Sequence, residues 1–215
     1  MKELATRTVV GVLLIAVALG AAFLGGTIFA IMVALIATVM YVEWSRMLSN
    51  WGAAWKVYGF FYCLLPAVSL LWIREQAEYA GIGRGSDLLI WVFLVVWSTD
   101  IGAYFAGRAI GGPKLAPSIS PNKTIAGLVG GVISAAILAG SWAVYMDLPS
   151  HLLWLAALFA VAAQLGDLFE SGLKRRAGVK DSGTWLPGHG GLLDRLDGLV
   201  PVAMLTAGLM MVGWL

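Results

Sequence analysis

The sequence predicts an all-α integral membrane protein with about seven transmembrane helices, its N-terminus inside and its C-terminus outside. Three observations lead there. Hydrophobic residues fill 60% of the 215 positions and charged residues only 12%, about half the charge of an ordinary soluble domain. Mean hydropathy is +0.87, more apolar surface than a soluble fold could hide. Apolar runs near twenty residues long, the length that crosses a bilayer as a helix, recur along almost the whole chain. The net charge of +2 says little about partners, and no nucleic acid is expected among them.

The expected spans are roughly 8–24, 27–43, 57–73, 88–107, 125–146, 151–168 and 197–214. The first has the basic, apolar and small-residue order of a secretory signal, but a second apolar run follows almost at once, so a first span in a tight hairpin is the better reading. Orientation comes from the connecting segments. Lys2, Arg7, Arg46, Lys56, Arg108, Lys114, Lys123, Lys174, Arg175, Arg176, Lys180 and Arg195 fall on one side, and only Arg74 and Arg84 on the other. Basic residues gather on the cytoplasmic side. Trp44, Trp51 and Trp55 are expected as interfacial anchors at the inner face, and Trp72, Trp142, Trp154 and Trp214 at the outer. The glycines of "GLVGGV" are read as places of close helix packing. Cys63, the single cysteine, lies in an apolar run and reads as a small buried hydrophobe. The chain reads as one transmembrane catalytic domain over 1–215, with no soluble domain and no internal repeat.

Two inner segments are long and polar: 108–124, shaped by Pro113, Pro117 and Pro121, and 169–196. Around them stand the candidates for chemistry. Asp100 lies inside the fourth span, where an ionised carboxylate costs roughly 2.5–3.5 kcal/mol on insertion scales, so it is expected to face a polar cavity or a partner. Asp167, Glu170, Ser171 and Lys174 share one face if the sixth helix continues past the membrane surface. Asp194 and Asp197, three apart, share a face if helical. Acids at the inner mouths of two spans suit a hard cation such as Mg²⁺, which takes oxygen ligands and shares its shell with substrate phosphates. Lys174, Arg175, Arg176, Lys180 and Arg195 stand between those acids. Topology or attraction to anionic lipid accounts for such cations, but not for the interleaved "PGHGG". Glycines let backbone N–H groups approach an anion, and cations clamp phosphate oxygens. A polyphosphate held with Mg²⁺ at the membrane surface accounts for all three. His189 is read as bonding to phosphate or holding the loop.

Ser171, Lys174, Arg175, Lys180, Asp181, Gly183, Leu186, Pro187, His189, Gly190, Gly191, Asp194, Arg195 and Asp197 stand in the order and spacing of a known signature. In this region the chain resembles the CDP-diacylglycerol synthase (phosphatidate cytidylyltransferase) family, without a break over 171–197. "DIGAYFAGR" (Asp100 to Arg108) and "KLAPSISPNKT" (Lys114 to Thr124) also look like segments of that family. Asn122 and Ala126 depart from it, standing where members often carry lysine and glutamate. Against other members the chain is short on its N-terminal side, by one or two spans.

The resemblance implies transfer of a cytidylyl group from CTP to phosphatidate, giving CDP-diacylglycerol and pyrophosphate for phospholipid synthesis, with Mg²⁺ and room for a second cation. For that reaction Asp167 and Asp194 are expected as the leading metal ligands, with Asp197 as a further ligand and Asp100 in support, all four being catalytic. The resemblance implies substrate contacts from Ser120, Lys123, Thr124, Ser171, Lys174, Arg175, Lys180, Asp181, His189, Gly190, Gly191 and Arg195. The expected setting is a bacterial inner membrane with the site on the cytoplasmic side, and a homodimer. Competing readings are a related enzyme acting on an ether lipid or isoprenoid, a CDP-alcohol phosphotransferase, whose acidic pattern "DRLDGLV" only partly supplies, and a transporter lined by Asp100. Transporters often carry internal repeats, and none is seen here.

Overall fold

The computed structural model describes residues 2–79, 84–186 and 190–215, with side chains described from Val9 to Glu75 in the first of these segments. Eight helices and one hairpin follow one another: α1 (Lys2–Leu24), α2 (Gly26–Met47), α3 (Ala53–Tyr79), α4 (Gly85–Ile110), β1 (Lys114–Ala116), β2 (Ser120–Thr124), α5 (Ile125–Tyr145), α6 (Leu152–Arg176), α7 (Leu193–Leu196) and α8 (Leu199–Met211). Among the described residues, five helices are long and apolar enough to cross a membrane: Gly26–Met47, Ala53–Glu75, Gly85–Ile110, Ile125–Tyr145 and Leu152–Arg176. Two shorter apolar helices, Val9–Leu24 and Leu199–Met211, stand where the first and last spans were expected. The fold is thus that of an all-α polytopic membrane protein, in which the sequence reading expected about seven spans and five of the described helices meet the length and composition of one.

Helix α4 is the centre. Its most apolar window is 61% buried, against 22–39% for the other four long helices, and Leu88, Leu89, Trp91, Val92 and Val95 are fully enclosed. The α4–α5 contact is built from small residues. A Cβ on Gly130 would lie 2.2 Å from the Ala106 Cβ, and one on Gly102 would lie 2.1 Å from the Ser134 hydroxyl. Such backbone-close packing is how helices associate where the solvent is itself apolar. The outward faces of α2, α3 and α5 stay greasy, with Leu35, Phe60 and Ile133 all exposed, as lipid contact requires.

At one end of the bundle, the Arg74 guanidinium donates to the Ala22 carbonyl at 2.7 Å, tying α3 to the last turn of α1. Trp142 donates to the Asp87 carbonyl at 2.8 Å. The opposite end holds every polar segment of interest. The 108–124 region, read from its prolines as a shaped segment, ends in an antiparallel hairpin pairing Lys114 with Thr124 and Ala116 with Ser120. Thr124 closes β2 and caps α5, its hydroxyl accepting from the Gly127 N–H at 3.0 Å, the exchange that threonine performs at helix starts. One expectation is corrected here. Trp44 is not an interfacial anchor: it is fully buried, donates to the Trp55 carbonyl at 2.8 Å and packs on Tyr62 at 4.9 Å between ring centroids. Gly59 makes room for it, since a Cβ there would sit 2.1 Å from the indole.

Candidate active site

A cavity of about 730 Å³ opens among α1–α4 and α6–α8. Most of its wall is apolar, including Phe29, Val33, Pro66 and Phe93, while Asp100, Asp167, Asp194, Arg195 and Asp197 supply its charge. Apolar walls with a few convergent polar groups are the usual form of a ligand site. Here an oily chamber meets a charged floor.

Three acids reach that floor from separate elements. Asp100 comes from α4, Asp167 from α6 and Asp197 from the junction of α7 and α8. Gly166 allows the last two to meet: a Cβ there would lie 2.4 Å from the Asp197 carbonyl and 2.9 Å from Pro201. With no side chain in the way, α6 and the start of α8 close on one another. The Asp167 and Asp100 carboxylates are the like charges acting most on Asp197. Asp167 is also matched by cation and hydroxyl, with Lys123 Nζ at 2.6 Å and the Ser171 hydroxyl donating at 3.1 Å. Lys123 thereby brings the hairpin to the same acid.

Asp194 also lines the cavity, but its oxygens are bonded from outside it. Its Oδ1 accepts from Lys174 Nζ at 2.6 Å. The Ser182 N–H donates to both of its oxygens, at 3.2 and 2.9 Å, and the Gly191 N–H to Oδ2 at 2.8 Å. Burial alone would raise this carboxyl, but the Lys174 ammonium and the Gly191 and Ser182 N–H groups outweigh it and hold the pKa below the usual carboxylate value. Asp194 on α7 and Asp197 just past it both line the cavity, but Asp194 is bonded by the Ser182 and Gly191 N–H groups, whereas Asp197 accepts from the neighbouring Gly198 N–H at 2.7 Å. Lys174 bridges again, meeting Glu170 Oε1 at 3.0 Å. Glu170 is fully enclosed.

The remaining expected residues are scattered in role. Ser171 and Thr124 are buried and used as described. Ser120 is half-buried in the hairpin, while Lys180 and Asp181 are exposed. Arg175 donates through Nε to the Ile119 carbonyl at 3.2 Å, pinning the hairpin turn to the end of α6. Gly190 has φ +81, and a Cβ on it would lie 2.9 Å from Asp194 Oδ2; one on Gly191 would lie 2.1 Å from the Ser182 hydroxyl. These glycines approach anions as anticipated, but the anions are the protein's own carboxylates. His189 lies outside the described residues.

Sequence reasoning passed over one residue, Glu43. It is 1% exposed and accepts from the Ser182 hydroxyl at 3.2 Å, the Leu192 N–H at 2.9 Å and the Leu193 N–H at 2.8 Å. Its signal was a lone acid inside the apolar run "MYVEW".

Among the described residues no three His, Cys, Asp or Glu side chains stand together as a metal-holding group. Mg²⁺ needs fewer, since one or two carboxylates suffice when phosphates complete the shell. Like-charged hard-oxygen donors at the cavity floor fit that demand. Asp167 and Asp197 are the best placed, whereas Asp194 is the more fully engaged, accepting from Lys174 and from the Ser182 and Gly191 N–H groups where Asp167 meets one ammonium and one hydroxyl.

The sequence profile of the cytidylyltransferase family, by description, matches residues 57–212. The phosphatidate cytidylyltransferase of Brucella suis biovar 1 (strain 1330) is 45% identical over 178 residues, covering 81% of this chain and 62% of that protein. That of Staphylococcus haemolyticus (strain JCSC1435) is 46% identical over 139 residues, covering 63% and 53%. That of Bacillus subtilis (strain 168) is 48% identical over 128 residues, covering 58% and 46%. The chain thus spans at most 62% of the length of these three relatives. With the match taking in α3 through α8, the signature loop and all four aspartates of the cavity, the chain belongs to the cytidylyltransferase family.

Proposed function

We propose that this chain transfers a cytidylyl group from CTP to phosphatidate, releasing pyrophosphate and leaving CDP-diacylglycerol in the bilayer. The observation that carries the reading is the cavity: about 730 Å³, apolar along its wall and acidic with Arg195 at its floor. Diacylglycerol tails suit the wall. Phosphates, with a cation between them and the acids, suit the floor. The relatives carry the name of the same activity.

The phosphatidate phosphate is already an anionic nucleophile, so no strong general base is required. One of its oxygens forms a bond to the α-phosphorus of CTP as the bond from that phosphorus to the β-phosphate oxygen breaks, and the electron pair leaves with pyrophosphate. Catalysis reduces to placing the phosphates and balancing their charge. Asp167 and Asp197 would hold Mg²⁺, with Asp100 beside them and Asp194 as the weaker candidate; the ion would supply charge neutralisation at the transferring phosphate. Arg195 lines the cavity and would meet a phosphate there. Lys180, exposed on the loop, would reach a phosphate of the incoming nucleotide. Lys123 orients Asp167 through their 2.6 Å pair.

The polar end of the bundle is proposed to face the cytoplasm, where CTP is, at a bacterial inner membrane. Seven crossings, with the two shorter helices as the first and last, would put the N-terminus inside and the C-terminus outside. The deciding experiment is incubation of the purified chain with CTP, Mg²⁺ and phosphatidate, and separately with an isoprenoid alcohol. CDP-diacylglycerol is expected only with phosphatidate. Turnover with the isoprenoid alone would move the assignment to another lipid acceptor.

A further inference from the structure

Glu43 does not line the cavity, yet it is among the most deeply buried acids of the chain. A carboxylate in such a place is tolerated only when donors surround it. The donors described come from one region far along the chain: the Ser182 hydroxyl and the Leu192 and Leu193 N–H groups, at 3.2, 2.9 and 2.8 Å. Two signature glycines are fitted to it. A Cβ on Gly183 would lie 2.5 Å from Glu43 Oε1, and one on Gly191 would lie 2.7 Å from Oε2. Residues 182–183 and 191–193 are therefore packed around this side chain, which α2 carries. Arg195 and Asp197 follow within five residues of Leu192 and line the cavity, so whatever fixes Leu192 and Leu193 fixes them.

We propose that Glu43 is a positioning residue that sets where Arg195 and Asp197 stand, and so governs the rate of the cytidylyl transfer proposed above, on which this inference rests. It does not touch substrate. It replaces flexible anchoring of the loop with three bonds to one charged group, and hydrogen bonds to charged groups are the strong ones.

The test compares the full chain with Glu43→Gln and Glu43→Asp in detergent, by hydrogen–deuterium exchange and by steady-state kinetics. In Glu43→Gln, exchange at Leu192 and Leu193 is expected to rise about tenfold or more, while the amides of α5 keep their protection. The turnover number is expected to fall roughly ten- to a hundredfold. KM for phosphatidate should stay within about twofold, because the apolar wall that takes the tails is untouched. Glu43→Asp keeps the charge and should recover part of both effects. Unchanged exchange at Leu192 and Leu193 sinks the proposal, as does an equal rise in α5, which marks a general fold defect. If Glu43→Gln does not fold, Ser182→Ala removes one of the three donors, and the same local rise decides the matter. A wild-type chain without cytidylyl transfer would defeat the proposed function. Unchanged exchange beside full wild-type activity would defeat the Glu43 assignment alone.

Discussion

Single carboxylates in this protein are told apart by what already occupies their oxygens. Asp167→Asn keeps the side chain's size and its bond from Ser171 but removes the charge that faces Lys123 and the cavity. Turnover is expected to fall about ten- to a hundredfold, with an unchanged size-exclusion profile and a Mg²⁺ curve displaced to higher concentration. An unshifted curve at wild-type activity would take Asp167 out of the site. Asp194 predicts something different. Its folded pKa lies below the ordinary value, so its contribution to stability is fully present above the unfolded pKa of about 3.9 and is lost as pH falls through the lower folded value. Protection of the Ser182 and Gly191 amides should therefore weaken below about pH 4. In Asp194→Asn it should be weak at neutral pH and indifferent to acid.

The elements were readable to different degrees, for physical reasons. Apolar runs declare themselves because a bilayer-crossing helix must be apolar over its length, and α2 through α6 stand where those runs stand. The hairpin gave no such sign, since "KLAPSISPNKT" has neither alternation nor a two-residue turn of glycine and asparagine. It is held by its ends, through Arg175 on Ile119 and Lys123 on Asp167. The four aspartates and the basic loop were legible by charge out of place in an oily chain. Glu43 was not, because an acid near a helix end looks like a solvated charge until residues 139 to 150 positions away are seen to bond to it. Helix spacing yields a prediction of its own. Gly166→Ala puts a methyl 2.4 Å from the Asp197 carbonyl, which must part α6 from α8 and draw Asp167 away from Asp197. Activity should drop tenfold or more, about 1.4 kcal/mol of transition-state stabilisation, while helical content measured by circular dichroism stays constant. Gly208→Ala, in open space on α8, should act as wild type.

At the scale of the whole molecule, the two ends of the bundle are chemically unequal, and that inequality is what the orientation rests on. Arg74 and Arg84 sit at one end, each engaged locally: Arg74 holds the Ala22 carbonyl and Arg84 the Asp87 carboxylate at 3.0 Å. The other end gathers the hairpin, the basic end of α6 and the 177–192 loop. Translocating that many cations across a membrane is disfavoured, and the proposed reaction needs CTP, which is cytoplasmic. Topology and chemistry therefore make one joint prediction. Cys63 is 2% exposed, and Cys63→Ser gives a silent background for single cysteines at exposed positions. On that background Ser150→Cys, between α5 and α6, should react with an impermeant maleimide in intact cells. Ser118→Cys in the hairpin turn and Arg176→Cys at the end of α6 should react only after permeabilisation. These three sites avoid Lys180, Arg195 and the aspartates, so the variants can be checked for activity before labelling. The reverse pattern would place the cavity floor on the side without CTP, and the proposed reaction would fall with the orientation.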